Sequence, residues 1–133
     1  RTLVRAGARP AAINDADRAA IAAVGGVAVN DVTLLHDERV LGTEKLHGIV
    51  FDASGIDTPA ALRSLYDALH AWVPHIGSSG RLVVLARPHD QATSAATAAA
   101  RRGIEGCVRS VAKEIGRSGS TANLIVVEPG AED

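Results

Sequence analysis

His47-Gly48-Ile49-Val50-Phe51-Asp52-Ala53-Ser54-Gly55-Ile56-Asp57-Thr58-Pro59 is the stretch whose reading decides the fold. His47 to Asp52 reads as a short buried strand, and a turn of small residues succeeds it. Thr58 then offers a hydroxyl N-cap, and Pro59 stands at the first helical position, where a missing N–H costs nothing. Beyond it Leu62, Leu65, Tyr66, Leu69, Trp72 and Val73 recur at helical spacing and give one apolar face, which Pro74 ends or kinks. A buried strand, a turn and an amphipathic helix in succession are the first two-thirds of a β-α-β unit, from which parallel sheets are made.

The same alternation extends in both directions. Downstream, Arg81 to Ala86 is a strand behind Gly80. Ala92 to Ile115 is a long helix with Ile104, Cys107, Val108, Val111 and Ile115 on one side, and Ala122 to Val127 is a last strand. The pairs Arg101–Glu105 and Glu105–Arg109 are four apart on the helix's outer face, each worth a few tenths of a kcal/mol. Upstream, Thr2 to Ala6 reads as the first strand and Gly7 to Pro10 as a turn. A helix then runs to about Val24, with Asn14 or Asp15 as its cap and Gly25-Gly26 as its stop. Val27 to Val29 reads as a second strand and Val32 to Leu35 as a short one, while Asp37 to Lys45 reads as a loop. The expectation is a single α/β domain over residues 1–133, a small doubly wound parallel sheet of about five strands in the order 2-1-3-4-5.

Composition narrows the function. The 133 residues carry 14 basic and 15 acidic side chains, a formal net charge of −1, which supplies no field for nucleic acid or an anionic membrane surface. Phe51, Tyr66 and Trp72 are the only aromatic residues, too few for a base-stacking platform. Cys107 stands alone, so neither an internal disulfide nor a thiolate metal cluster can form, and a reducing, cytoplasmic setting is expected. No run approaches the roughly 18 consecutive apolar residues of a membrane span, and no signal sequence opens the chain. His36, His47, His70, His75 and His89 have no metal-ligand spacing.

In an open parallel sheet a ligand binds beyond the carboxyl ends of the strands, where the winding reverses. Gly7 to Ala12 and Ala53 to Thr58 would wall that crevice. Ala6-Gly7-Ala8-Arg9-Pro10 lacks the G-x-G-x-x-G pattern that lets a backbone approach pyrophosphate, and no P-loop is present. Gly7, Arg9, Ser54 and Asp57 are the cofactor-binding candidates, Arg9 as a point contact to phosphate. A hydrolase site of Ser54, Asp52 and His89 would need Ser54 on a strained elbow, and the glycine expected to lead it is missing. Cys107 reads as a small core residue.

Four segments carry a resemblance. Gly48 to Ile56 is similar to the strand and N-N-A-G loop of short-chain dehydrogenases/reductases, and Gly80 to Leu85 to the strand that leads to their catalytic serine. Gly103 to Ile115 resembles the helix after their Y-x-x-x-K motif, and Val126-Val127-Glu128-Pro129-Gly130 their P-G turn. Alignment on the helix puts Arg87 near the serine position, Thr97 at the tyrosine and Arg101 at the lysine, so the catalytic set is absent. An alkyl hydroxyl such as that of Thr97 has no phenol-like acidity to give a developing alkoxide.

The phrases G-I-V-F-D-A-S-G-I-D-T-P-A-A-L, G-R-L-V-V and R-x-x-x-G-C-V-R-S-V-A-K-E-I resemble more narrowly the N-terminal, flavodoxin-like domain of high-molecular-weight 3-oxoacyl-acyl-carrier-protein reductases. The resemblance implies a non-catalytic domain of fatty acid metabolism, with no cofactor of its own, ahead of a catalytic domain that uses NAD(H) on 3-oxoacyl thioesters. It implies two partners: that catalytic domain in the same chain, and further copies in a homo-oligomer. Because the sequence opens on Arg1 and stops at Asp133 before any catalytic motif, it is expected to be a fragment of a longer chain. Leu69, Trp72, Ala99, Ile104 and Val108, on the two long helices, are the interface candidates. An apolar helix face can equally be core, whereas the small side chains of Ala95 to Ala100 suit close approach of a neighbour. The alternative is a stand-alone nucleotide- or acyl-binding module that uses the crevice.

Overall fold

Two compact units divide the chain, Arg1–Thr43 and Glu44–Asp133. The computed structural model describes residues 45–131 and, ahead of them, only Ala11–Ala12, Thr33–Leu34 and the helical Ala19. In the first unit, strands β1 (Ala11–Ala12) and β2 (Thr33–Leu34) pair in parallel, Ala11 opposite Thr33 and Ala12 opposite Leu34. Thr33–Leu34 falls inside the short strand expected at Val32 to Leu35. Ala11–Ala12 is an extended pair that the reading, a turn over Gly7 to Pro10 and then a helix capped at Asn14 or Asp15, did not include, since a two-residue bridge is too short to leave a period in the sequence. The expected strands Thr2 to Ala6 and Val27 to Val29, and the turn Gly7 to Pro10, lie outside the described residues.

The second unit runs through strand β3 (Leu46–Asp52), helix α1 (Leu62–Trp72), strand β4 (Ile76–Ala86), helix α2 (Ala95–Ile115) and strand β5 (Thr121–Val126). Its three strands are parallel, in the order β3-β4-β5. Here the local signals act as anticipated. Thr58 Oγ1 accepts the Ala61 N–H at 3.3 Å, and Pro59 opens a turn of 3-10 helix ahead of α1. Pro74 ends the helix in a second such turn, Val73–His75. Ser94 caps α2 by accepting the Thr97 N–H at 3.1 Å, so this helix begins at Ala95 and not at Ala92. Gly119 terminates the run beyond α2 at a φ of 72°, in the left-handed region that glycine enters without a steric penalty.

Strand β4 is longer than Arg81 to Ala86, because Ile76 pairs with Leu46 before a register shift resumes the ladder at Gly48 opposite Arg81. The buried Ser120 hydroxyl holds this irregular entry, accepting the Gly80 N–H and donating to the Gly77 carbonyl, both at 3.0 Å. A Cβ on Gly80 would stand 2.4 Å from Ile76 Cγ2, so only glycine fits there. None of this is periodic, and a glycine-serine stretch hides it.

One apolar cluster carries the unit. Leu82, Val84 and Ala86 alternate toward one face of the sheet, where Leu65 and Leu69 of α1 and Ala100, Ile104, Val108 and Ile115 of α2 bury against them. Ile49, Phe51, Ala122 and Leu124 pack against its edges, as does Cys107. The helices touch each other at Gly103, where a Cβ would meet Leu62 Cδ1 at 2.7 Å.

Leu65 is fully buried, so Leu65→Ala is expected to lower unfolding free energy by about 2–5 kcal/mol in a urea titration. Leu69→Asp, which buries a charge in the same cluster, should abolish cooperative unfolding, whereas Tyr66→Asp on the exposed side of α1 should stay within about 0.5 kcal/mol of the parent.

Candidate functional site

The carboxyl ends of β3, β4 and β5 hold the segments Ala53 to Thr58, Arg87 to Ser94 and Val127 to Gly130. Backbone bonds continue past the strands: the Ala53 N–H donates to Leu85 O and the Val127 N–H to Ala86 O, each at 2.8 Å. The floor of the site is therefore rigid, and the chemistry depends on which side chains stand above it.

Arg101, at the position aligned with the reductase lysine, projects from the first turns of α2 into this region. Its Nε lies 2.8 Å and its Nη2 2.7 Å from Asp57 Oδ1, and its Nη1 donates to Pro88 O at 2.7 Å. One guanidinium thus joins the loop after β3 to the loop after β4. Its side chain is 14% exposed against 51% for Asp57, so the pair is screened less than an open surface pair. This corrects the expected Arg101–Glu105 pair. Glu105 instead takes Arg102 at 2.6 Å and Arg109 at 2.7 Å, the latter as expected. A fork that reaches a carboxylate and a carbonyl at once is favoured over an exposed i, i+4 contact. The hydrogen bond from Arg102, with the charge of Arg109 beside it, holds the Glu105 carboxyl below its usual value of 4.5.

The other two aligned positions also serve the fold. Thr97 Oγ1 lies 2.9 Å from Ser94 Oγ, so its hydroxyl belongs to the cap of α2. Arg87 donates to Val127 O at 3.3 Å, tying the end of β4 to that of β5. Close by, Gln91 Nε2 donates to Glu128 Oε2 at 2.5 Å. Ser54 donates its backbone N–H to Asp52 Oδ1 at 2.9 Å, an ordinary Asx turn. Among the described residues no hydrogen bond links His89 to Ser54 or Asp52, so the Ser-His-Asp arrangement is not assembled. Gly7 and Arg9 lie outside the described residues, which leaves Ser54 and Asp57 as the candidates that can be placed, Asp57 already engaged by Arg101.

Of the five interface candidates, Leu69, Trp72, Ile104 and Val108 are buried within this chain and Ala99 alone is exposed. The physical reason is plain: a helix that flanks a sheet spends its apolar face on the sheet first. The Arg101–Asp57 pair is hidden in the sequence because 44 residues separate the partners and no local period connects them. Among the described residues no group of three His, Cys, Asp or Glu side chains could hold a metal ion, and no helix is long and apolar enough to cross a membrane.

No family model matches the chain, and no curated protein matches it either. Among solved structures it is similar to an oxidoreductase of the short-chain dehydrogenase/reductase family from Burkholderia thailandensis, with a TM-score of 0.68 and 22% sequence identity over 96% of this chain. The chain spans 62% of the length of that protein. The likeness is one of fold, and with the parallel β3-β4-β5 sheet under two helices it makes this a Rossmann-like α/β chain.

Arg101→Ala is expected to cost about 1–2 kcal/mol of unfolding free energy, with Arg101→Lys recovering only part because an ammonium cannot span both partners. A urea series on the three proteins checks this. Because the Glu105 carboxyl is depressed in the folded chain, its contribution is complete above about pH 4.5, the unfolded value, and is lost as pH falls through the lower folded value. The stability difference between the parent and Glu105→Gln should therefore be flat near neutrality and vanish in acid.

Proposed function

We propose that this chain is a non-catalytic α/β domain of an NAD(H)-dependent 3-oxoacyl thioester reductase of fatty acid metabolism, whose work is assembly of the catalytic part. One observation carries the reading: the three side chains at the aligned catalytic positions, Arg87, Thr97 and Arg101, are all engaged in holding strand ends, a helix cap and two loops. A general acid must be free to meet substrate, and an arginine that stays protonated at every physiological pH cannot exchange protons as a lysine does. The Rossmann-like fold shared with a short-chain reductase supports the oxidoreductase connection.

On this reading the chain belongs to the flavodoxin-like class, with about five parallel strands in the order 2-1-3-4-5. The domain holds no cofactor, and NAD(H) belongs to a catalytic domain in the same cytoplasmic, homo-oligomeric protein. Calorimetric titration of the 133-residue chain at about 100 μM with NADH should give no saturable heat, where a Kd tighter than about 1 mM would begin to register. Saturable binding would overturn the proposal in favour of a nucleotide-binding module. The open reading frame beyond Asp133 gives an independent check: T-G-x-x-x-G-I-G and Y-x-x-x-K motifs are expected there.

A further inference from the structure

The cations of the second unit fall into two groups. Arg63, Arg101, Arg102 and Arg109 each meet a carboxylate, and Arg87 holds a strand end. Lys45, Arg81, Lys113 and Arg117 form no ion pair among the described residues. Lys45 reaches only the Pro74 carbonyl, at 3.4 Å, and Arg81 donates to the Ser79 and Gly80 carbonyls. All four are exposed, and all four stand at one end of the unit. Lys45 precedes β3, Arg81 lies opposite Gly48 of β3 and Thr121 at the start of β5, and Lys113 and Arg117 close α2 on its way into β5.

The turns that carry these charges are locked to one another. A Cβ on Gly77 would stand 3.2 Å from Lys45 Cβ, and one on Gly119 3.4 Å from Ser79 Oγ. The Ser120 hydroxyl ties both Gly77 and Gly80 to the start of β5, and it lies 2.9 Å from the Ser118 hydroxyl. Ser79 keeps a φ of 57°, in the left-handed region that a residue with a side chain holds only where its surroundings fix it. Lys45, Arg81 and Arg117 therefore stand on a rigid base. Cations in the last turn of a helix complement its dipole, which accounts for Lys113 and Arg117 but not for Lys45 and Arg81, which lie outside any helix. Glu114 is the one carboxylate that these segments carry among the described residues.

We infer that this cationic pole is a docking surface for an acidic, carboxylate-rich segment of a partner protein. Arginine clusters recognise such motifs through charge-assisted hydrogen bonds. No aromatic ring stands on these segments to stack a base. The whole chain has a net charge of −1, so a duplex or a membrane extending past the pole meets balanced charge, whereas a short acidic segment stays within about one Debye length, roughly 8 Å, of the unpaired cations. The inference does not depend on any connection to a reductase.

The test is a titration of the 133-residue chain with a short oligo-glutamate peptide at low ionic strength, followed by amide NMR, with oligo-glutamine of the same length as the uncharged comparison. Saturable shifts are expected at Lys45, Ser78 to Arg81 and Arg117 to Thr121, with affinity falling as salt is raised. Lys45→Gln with Arg117→Gln should weaken binding about tenfold, whereas Arg63→Gln with Arg102→Gln, which removes the same charge from paired cations elsewhere, should leave it within about twofold. If the first double variant does not fold, Lys113→Gln with Arg117→Gln carries the same expectation. Absence of oligo-glutamate binding, equal binding of oligo-glutamine, or equal loss in the pole and control variants would each overturn the inference. Tighter binding of a single-stranded oligonucleotide or of phosphatidylglycerol vesicles at the same amides would overturn the assignment to a protein partner.

Discussion

Everything in the second unit depends on one strand face. Leu82, Val84 and Ala86 of β4 are covered by both helices at once, and Leu82 and Val84 lose all contact with solvent. Full burial of such a side chain contributes about 1.5–3 kcal/mol, which makes β4 the place where loss of either helix is felt. The outer strands show what a single layer of cover does: their inward residues Ile49, Phe51, Ala122 and Leu124 are only partly buried. The central strand is dry because the helices meet above it, and Gly103 is what allows them to meet.

That packing fixes the chemistry at the carboxyl ends. With α2 anchored through Ala100, Ile104 and Val108, Arg101 and Thr97 have set positions on its first turns. Thr97 is committed to the cap and Arg101 to two loops. A lysine at position 101 would be a point charge able to lose its proton when desolvated, but arginine keeps its charge and gains its worth from geometry. Arg101 accordingly holds two loops together. At the sheet end, where other α/β proteins carry ligands, these side chains tie loops and strand ends together.

How much of this is legible in the sequence depends on the range of each interaction. Thr58, Pro59, Pro74 and the leucines of α1 act within one or two helical turns, and the elements they delimit lie where local reasoning puts them. The β4 entry escapes such reasoning because Gly77-Ser78-Ser79-Gly80 has no apolar period, and its order comes from Ser120, 40 residues from Gly80. Arg101 stands out in the sequence through the resemblance, yet its nearest acid along the chain, Glu105, is the wrong partner. Ion pairs are chosen by where loops come together, and spacing along a helix is a guide only where no loop carboxylate competes.

The exposed side of the sheet bears on whether such a unit suits life alone. Val50 is 65% and Ile125 48% exposed, although the β4 run Leu82-Val83-Val84-Leu85 is apolar on both faces, as parallel strands covered on two sides are. Val50 lies opposite Val83 and Val83 opposite Asn123, so this face is a patch of branched side chains continuing toward Ile125. Water against such a patch contributes nothing to folding, and in a cell it invites association.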